Sequence, residues 1–480
     1  MVDGDNTTET DLVVIGAGPG GYTAAIRGAQ KGLDVVLVEK ETVGGVCLNH
    51  GCIPAKALIH AAGFQKDIAH WNDIGIETGE IGVNFQEVQE WKNDVIRTLD
   101  DGILRSLDHH DVRYVEGTAS FVDSTTVDID KNDGGTEQVS CDNAVIATGS
   151  TPIEIPGLEF EQDRVISSRE VLQVPEVPEE LVVVGGGYIG MEAVTKFAKF
   201  GSTIKVVEAR DRVLTMFEEE VVNSIQETSD MYSEHIYTST MADHVEYEDG
   251  RPVLVADHED EELRLSADYI IVAAGREPES AFGPLNIDAT DVELTERRFI
   301  DTDDQMQTDD EHIYCIGDAA GQPHLAHVAY REGKVAAEAA AGEETSMDNR
   351  CIPAVMYTDP EVAVVGMSET EAREEYYNVM VGRVPFTASG RAQTANKTAG
   401  YVKVIADEDE RLLGVRIVGA RASDSIAEAT LAMEMEAHLD DLANTIHAHP
   451  TFPEALSRGR RRREGGKRST LTEQTVRRRI

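Results

Sequence analysis

Residues 12–39 read LVVIGAGPGGYTAAIRGAQKGLDVVLVE, and this stretch decides the fold. Leu12 to Ile15 is an apolar run that leads into the glycine turn Gly16, Gly18, Gly20 and Gly21, followed by a helical-looking Tyr22 to Gln30. A second apolar run, Val35 to Val38, ends at Glu39, eighteen residues after Gly21. Strand, glycine turn, helix, strand and terminal acid form a dinucleotide-binding pattern. Gly16, Gly18 and Gly21 let backbone amides approach a pyrophosphate, and the helix N-terminus stabilises it through its dipole. Glu39 is expected to accept hydrogen bonds from ribose hydroxyls.

A single fingerprint of this kind is a weak signal, because a tight turn needs the same glycines. Here the pattern returns at residues 181–208, LVVVGGGYIGMEAVTKFAKFGSTIKVVE. Gly185, Gly187, Gly190 and Glu208 each stand 169 positions after Gly16, Gly18, Gly21 and Glu39. Two copies in matching strand contexts predict an α/β chain with two Rossmann-like nucleotide sites. Because Glu208 repels a 2′-phosphate, the second site is expected to prefer NAD to NADP, with Arg210 near enough to soften the preference.

A chain of 480 residues can bury several cores and predicts more than one domain. Its formal charge of −46 opposes binding to nucleic acid or to an anionic membrane surface. Lysine is scarce, 13 against 30 arginines, while Asp and Glu reach 89; this resembles proteins of salt-loving organisms. The start, MVDGDNTTETD, lacks the basic and apolar segments of an export signal. Apolar runs such as Leu181 to Val184 are strand-sized, far below the ~20 residues of a membrane helix, so a cytoplasmic protein is expected. Five cysteines are too few for a disulfide framework, and only Cys47 and Cys52 are close together.

Those two lie in GGVCLNHGCIPAKAL, residues 44–58. Zinc knuckles come in pairs, and Cys141, Cys315 and Cys351 are isolated, so no metal site is expected. Five helical residues rise about 7.5 Å, whereas a disulfide requires Cα atoms within about 7 Å. A bridge here therefore requires a distorted turn, for which Gly44, Gly45 and Gly51 supply backbone freedom.

This segment resembles the redox-active motif of the pyridine nucleotide-disulfide oxidoreductases. The resemblance extends from residue 11 to 456 through Ala147–Gly149, IYCIGDAAG at 313–321, PHLAHVAYREG at 323–333, IPAVMYTDPEVAVVG at 352–366 and HAHPTFPE at 447–454. The segments at 323–333 and 352–366 resemble the branch that oxidises dihydrolipoamide. The resemblance implies a flavoprotein that passes electrons from a protein-bound dithiol to a Cys47–Cys52 disulfide, then to FAD and NAD. It makes Cys47 the interchange thiol and Cys52 the thiolate against the flavin. Lys56 stands beside the flavin, paired with Glu192, and His449 is the base that Glu454 orients. FAD falls to Gly16, Gly18, Gly21, Glu39, Lys56, Gly117, Thr148, Gly149, Asp318 and Ala326; NAD falls to Gly185, Gly187, Gly190, Glu208 and Gly275. The implied partners are a second copy in a homodimer and a lipoyl-bearing protein, either the acyltransferase of a 2-oxoacid dehydrogenase complex or the lipoyl protein of glycine cleavage. Competing readings are another reductase of the family or a flavoprotein scaffold without turnover. A mercuric reductase needs a further C-terminal cysteine pair, and Glu208 disfavours a glutathione reductase.

The expected division is an FAD-binding domain at 1–150, an NAD-binding domain at 151–275, a central segment at 276–348 completing the FAD domain, and a C-terminal α+β dimerisation domain at 349–480. Three features depart from the family pattern. GREPES occupies 275–280, and His50 within the cysteine loop reads as a solvent-facing side chain. Residues 457–480 hold ten basic and two acidic residues, whereas the preceding 456 hold 33 and 87. That tail lacks an apolar period and reads as a reading-frame or assembly artefact or a disordered basic extension, not as a nucleic-acid-binding module.

Overall fold

The structure is a computed structural model and describes residues 7–69, 71–77, 79, 82–228, 235–278 and 282–459. Residues 279 and 280 of GREPES and residues 460–480 of the basic tail lie outside the described residues, and with them the expectations placed there. Backbone packing groups the chain into two units, Met1–Asp211 with Tyr237–Asp348, and Arg212–Ile236 with Asn349–Ile480.

In the first unit, β1 (Thr7–Ile15), α1 (Pro19–Gln30) and β2 (Val35–Glu39) follow the order read from the sequence. β1 starts before the apolar run, at polar residues whose backbone ladders in parallel with Gln138–Cys141. Ladder pairing at a sheet extension needs no apolar side chains, so hydrophobic patterning did not reveal it. β3 (Arg113–Asp123), β4 (Thr126–Lys131) and β5 (Thr136–Ile146) complete the sheet together with the strand Ile313–Cys315. The pairs β1–β2, β2–β3, β1–β5 and β5 with Ile313–Cys315 are parallel, and β4 joins β3 and β5 antiparallel. A parallel sheet covered on both faces needs apolar residues throughout, and β2 is buried along its whole length. α1 and the helix Ala326–Ala340 pack so closely that a Cβ on Gly333 would stand 2.4 Å from the Gly20 carbonyl oxygen.

After β2 come α2 (Gly45–His50), α3 (Cys52–Ala69) and α4 (Phe85–His109); in the second repeat, α5 (Tyr188–Phe200) packs on α3. α5 lies between the strands Glu180–Val184 and Thr203–Val207 in the chain, which pair in parallel. Tyr269–Val272 and Val165–Ser167 extend this sheet, also in parallel. A separate antiparallel sheet is formed by Thr240–Glu248, Arg251–His258 and Glu261–Ser266.

The second unit is built on an antiparallel sheet ordered Ala354–Met356, Val362–Gly366, Leu412–Val418, Tyr401–Ala406, Met380–Pro385, with the helix Ala422–Glu434 packed against it. Its core includes Phe386, Val402, Val404, Ile417 and Phe452. Lys403 and Arg416 are buried on these strands and are matched by acids: Lys403 Nζ lies 2.7 Å from Glu220 Oε2, and Arg416 Nε 2.7 Å from Glu218 Oε2. No described helix is long and apolar enough to cross a membrane.

Candidate active site

The two glycine turns share one geometry. Gly16 has φ +99° and Gly185 φ +105°, a region that side chains disfavour. A Cβ on Gly21 would stand 1.8 Å from the Gly16 oxygen, and one on Gly190 2.1 Å from the Gly185 oxygen. Each helix can therefore start directly over the end of its strand only because both positions lack side chains. In contrast, a Cβ on Gly18 or Gly187 meets nothing within 4 Å. These residues precede α1 and α5 and leave each helix start clear for an anion; in α1 the donating amides begin at Gly20, because Pro19 has no N–H.

The acids that end the second strands bind the turns. Glu39 accepts from the amides of Ala17 at 2.7 Å and Glu41 at 2.9 Å. Glu208 accepts from those of Gly186 at 2.6 Å and Arg210 at 2.9 Å. A carboxylate offers about four acceptor positions, so each retains capacity for a ribose.

A cavity of about 330 Å³ runs through the first unit. Gly16, Gly18 and Glu39 line it at one end of the chain, joined by Cys47, Cys52, Lys56, Gly117, Thr148, Gly149, Asp318, Ala326 and Glu192. Gly21 supports the turn without lining the cavity, and Gly185, Gly187, Gly190, Glu208 and Gly275 also lie off its wall. Thr148 Oγ1 is buried without a hydrogen-bond partner, and Asp318 accepts from Ser150 with Arg276 Nε 4.0 Å away. An orphaned hydroxyl, an open helix start at Gly18 and a carboxylate along one groove fit an extended dinucleotide with a polyol chain.

The cysteines face each other across a helix break. α2 carries Cys47 and ends at Gly51, with φ −145° and ψ −110°, and α3 begins at Cys52. The two are free thiols, hydrogen-bonded to one another near disulfide distance. That hydrogen bond and then burial push the Cys47 thiol up. The same bond pulls Cys52 down; burial opposes it and the Lys56 ammonium assists. Of the pair, Cys52 is therefore the sulfur that holds negative charge, on the cavity wall. Lys56 Nζ lies 2.7 Å from Glu192 Oε2 and 3.0 Å from Oε1, joining α3 to α5.

Two further lysines stand nearby that sequence reasoning passed over. Lys92 of α4 is 2 % exposed and donates to the Leu172 carbonyl at 2.7 Å. Lys196 of α5 is 3 % exposed and lines the cavity. The available signal was a lysine one turn after Glu192 within an apolar helix. His50 is not the solvent-facing side chain expected: it is 17 % exposed, with Nε2 3.7 Å from Glu41 Oε2 and Nδ1 buried without a partner. Arg169 holds Glu41 through contacts of 2.8 and 3.3 Å.

In the second unit, His449 Nδ1 donates to Glu454 Oε1 at 2.9 Å, and Glu454 Oε2 accepts the Thr451 amide at 2.8 Å. The imidazole is 71 % exposed, so its other nitrogen is open to a reactant. Among the described residues, no group of three or more His, Cys, Asp or Glu side chains is placed to hold a metal ion.

Two turns of dinucleotide-binding geometry, with a dithiol on the wall of the first one's cavity, define a nucleotide-dependent disulfide oxidoreductase, and the chain belongs to the pyridine nucleotide-disulphide oxidoreductase family. Residues 10–333 match the family's main model and residues 352–459 its dimerisation domain. Within the family it is similar to dihydrolipoyl dehydrogenases: it is 45 % identical to dihydrolipoyl dehydrogenase 2 of Haloarcula marismortui over 95 % of this chain and 97 % of that protein. It is 44 % identical to the Haloferax volcanii enzyme and 43 % identical to that of Bacillus subtilis, each over 95 % of this chain and 96 % of the relative. Among solved structures, LpdA from Mycobacterium tuberculosis superposes with a TM-score of 0.87 at 22 % identity over 94 % of this chain and 99 % of that one, a likeness of fold. The HOCl-induced flavoprotein disulfide reductase RclA of Escherichia coli gives 0.83 at 25 % identity over 93 and 98 %. The expected α/β architecture with a C-terminal dimerisation domain is the one observed. Family membership implies FAD binding and use of NAD, and the dimerisation domain implies a homodimer.

Proposed function

We propose that this chain is a dihydrolipoyl dehydrogenase, oxidising protein-bound dihydrolipoamide and reducing NAD. The observation that carries the reading is the hydrogen-bonded Cys47–Cys52 pair on the wall of the cavity that Gly16 and Gly18 also line. The similarity to dihydrolipoyl dehydrogenases over 95 % of the chain supports the substrate class. Bound FAD supplies a two-electron relay between a dithiol and NAD. Gly16, Gly18, Glu39, Thr148, Gly149 and Asp318 are the residues we assign to holding it, with the domain from residue 1 to 150 completed by 276–348. The second turn, with Gly185, Gly187, Gly190 and Glu208 in the 151–275 segment, we assign to NAD.

In the oxidised protein, a substrate thiolate attacks Cys47 Sγ and the Cys47–Cys52 bond breaks, leaving Cys52 as thiolate beside Lys56. The second substrate thiol displaces Cys47, releasing the cyclic disulfide. His449, held by Glu454, takes the proton of the first attacking thiol, passes it to Cys47 as that sulfur is displaced, and then holds the proton of the second. The histidine lies in the dimerisation domain, and we assign it to the cysteine pair of the partner subunit. We assign the chain to the cytoplasm, where a close-spaced cysteine pair serves catalysis and not structure. The lipoyl-bearing partner is the acyltransferase of a 2-oxoacid dehydrogenase complex or a glycine-cleavage protein. The test is reduction of NAD by dihydrolipoamide in high salt, beside NADP as acceptor and glutathione as donor. Turnover with dihydrolipoamide and NAD is expected; turnover with glutathione alone sinks the assignment.

A further inference from the structure

Lys196 follows Glu192 by four residues on α5, so the two side chains share a helix face. Around it that helix is apolar and buried, with Met191, Ala193, Val194 and Phe197. An ammonium in such a place is costly unless an acid offsets it. Among the described residues, the charged groups acting on Lys196 are the Glu192 carboxylate and the ammonium groups of Lys56 on α3 and Lys92 on α4, and its own amine lies 5.1 Å from the centroid of the Phe197 ring. Glu192 is itself engaged by Lys56 at 2.7 Å, and Lys92 is turned to the Leu172 carbonyl. Lys196, Lys56, Glu192 and Cys52 all line one cavity.

We propose that Lys196 is a positioning residue of the redox centre: one turn along α5 from Glu192 and on the same cavity wall, its ammonium offsets part of the negative charge that Glu192 presents to Cys52. The inference rests on the reading of Cys47 and Cys52 as the redox pair. Glu192 opposes the lowering of the Cys52 thiol that Lys56 favours, so a second cation near that carboxylate favours the thiolate. Burial pushes Lys196 down to about 7, against the pull of Glu192. Its influence is therefore present in mildly acid solution and fades above neutrality.

The test compares the FAD-loaded wild-type protein with Lys196→Met and Lys196→Arg. Each is reduced with dithiol and alkylated with iodoacetamide from pH 5 to 9, and modification of Cys52 is followed by peptide mass spectrometry. In Lys196→Met the midpoint should rise by roughly half a pH unit, making Cys52 about threefold slower at pH 6 and unchanged at pH 9. Lys196→Arg should restore the wild-type profile at pH 6. An unchanged midpoint in a Met variant that still binds flavin overturns the proposal, as does equal slowing at both pH values. If the wild-type cysteines gain no reactivity on reduction, the redox-pair reading itself fails, and this proposal with it.

Discussion

His449 Nδ1 and Glu454 Oε1 stand 2.9 Å apart, and the second oxygen of Glu454 is fixed to the Thr451 amide. The acid is thus anchored on backbone while it holds the imidazole with its other nitrogen outward. Glu454→Gln keeps the size but removes the charge and one of the two accepting oxygens, so it cannot accept from both His449 and Thr451, and kcat for dihydrolipoamide should fall about 10- to 100-fold. His449→Gln removes the base and should lower kcat by about 10² to 10⁴. Steady-state NADH formation measures both, and an unaltered His449→Gln enzyme would remove the histidine from the chemistry.

Cys47 donates its hydrogen bond to Cys52, so Cys47→Ser leaves a hydroxyl that can still donate but cannot exchange with a disulfide. The variant should keep its flavin, seen in the visible absorbance, while dihydrolipoamide oxidation drops to background. Retained turnover would show that the thiol is not the point of attack.

A Cβ on Gly190 would stand 2.1 Å from the Gly185 carbonyl oxygen. Because that atom is backbone, α5 must shift away from its strand. Gly190→Ala should raise KM for NAD at least tenfold, a loss of about 1.4 kcal/mol or more, and should weaken FAD less, because α5 also walls the FAD cavity at Glu192 and Lys196 but the Gly16 turn is untouched. Equal loss of both nucleotides would mean the two turns are not independent.

Glu218 accepts from Arg416 at 2.7 Å within the second unit. Burial would raise its carboxyl, but Arg416, the Glu369 amide and Lys403 together hold it below the ordinary range. Glu218→Gln leaves the buried guanidinium without its charge partner, a cost of about 3 kcal/mol by analogy with broken buried pairs. Since the folded pKa is the lower one, this stabilisation is complete above the unfolded carboxyl pKa of about 4.3 and is lost as pH falls through the folded value. Urea unfolding at pH 7 and pH 3 should show a large difference between wild type and variant at the first and a smaller one at the second.

By itself the sequence determined the two nucleotide folds, because glycines at 16 and 21 and again at 185 and 190 answer steric demands within a few residues of each other, while those at 18 and 187 leave the helix starts uncovered. It likewise marked Cys47 with Cys52 and His449 with Glu454, pairs joined by five positions of chain. Only the tertiary structure decided what surrounds them. Glu39 and Glu208 were read as ribose ligands, yet each also holds the glycine turn 22 residues before it. Lys56 meets Glu192 across 136 residues, a pairing the family resemblance already implied, whereas Glu218 meets Arg416 across 198 with no such signal. His50 is largely buried beside Glu41, and Lys92 and Lys196 are buried. Local motifs are legible because backbone geometry constrains near neighbours. Burial of a charge and the partner that offsets it depend on which helices pack together, and the linear order of residues carries no direct mark of that.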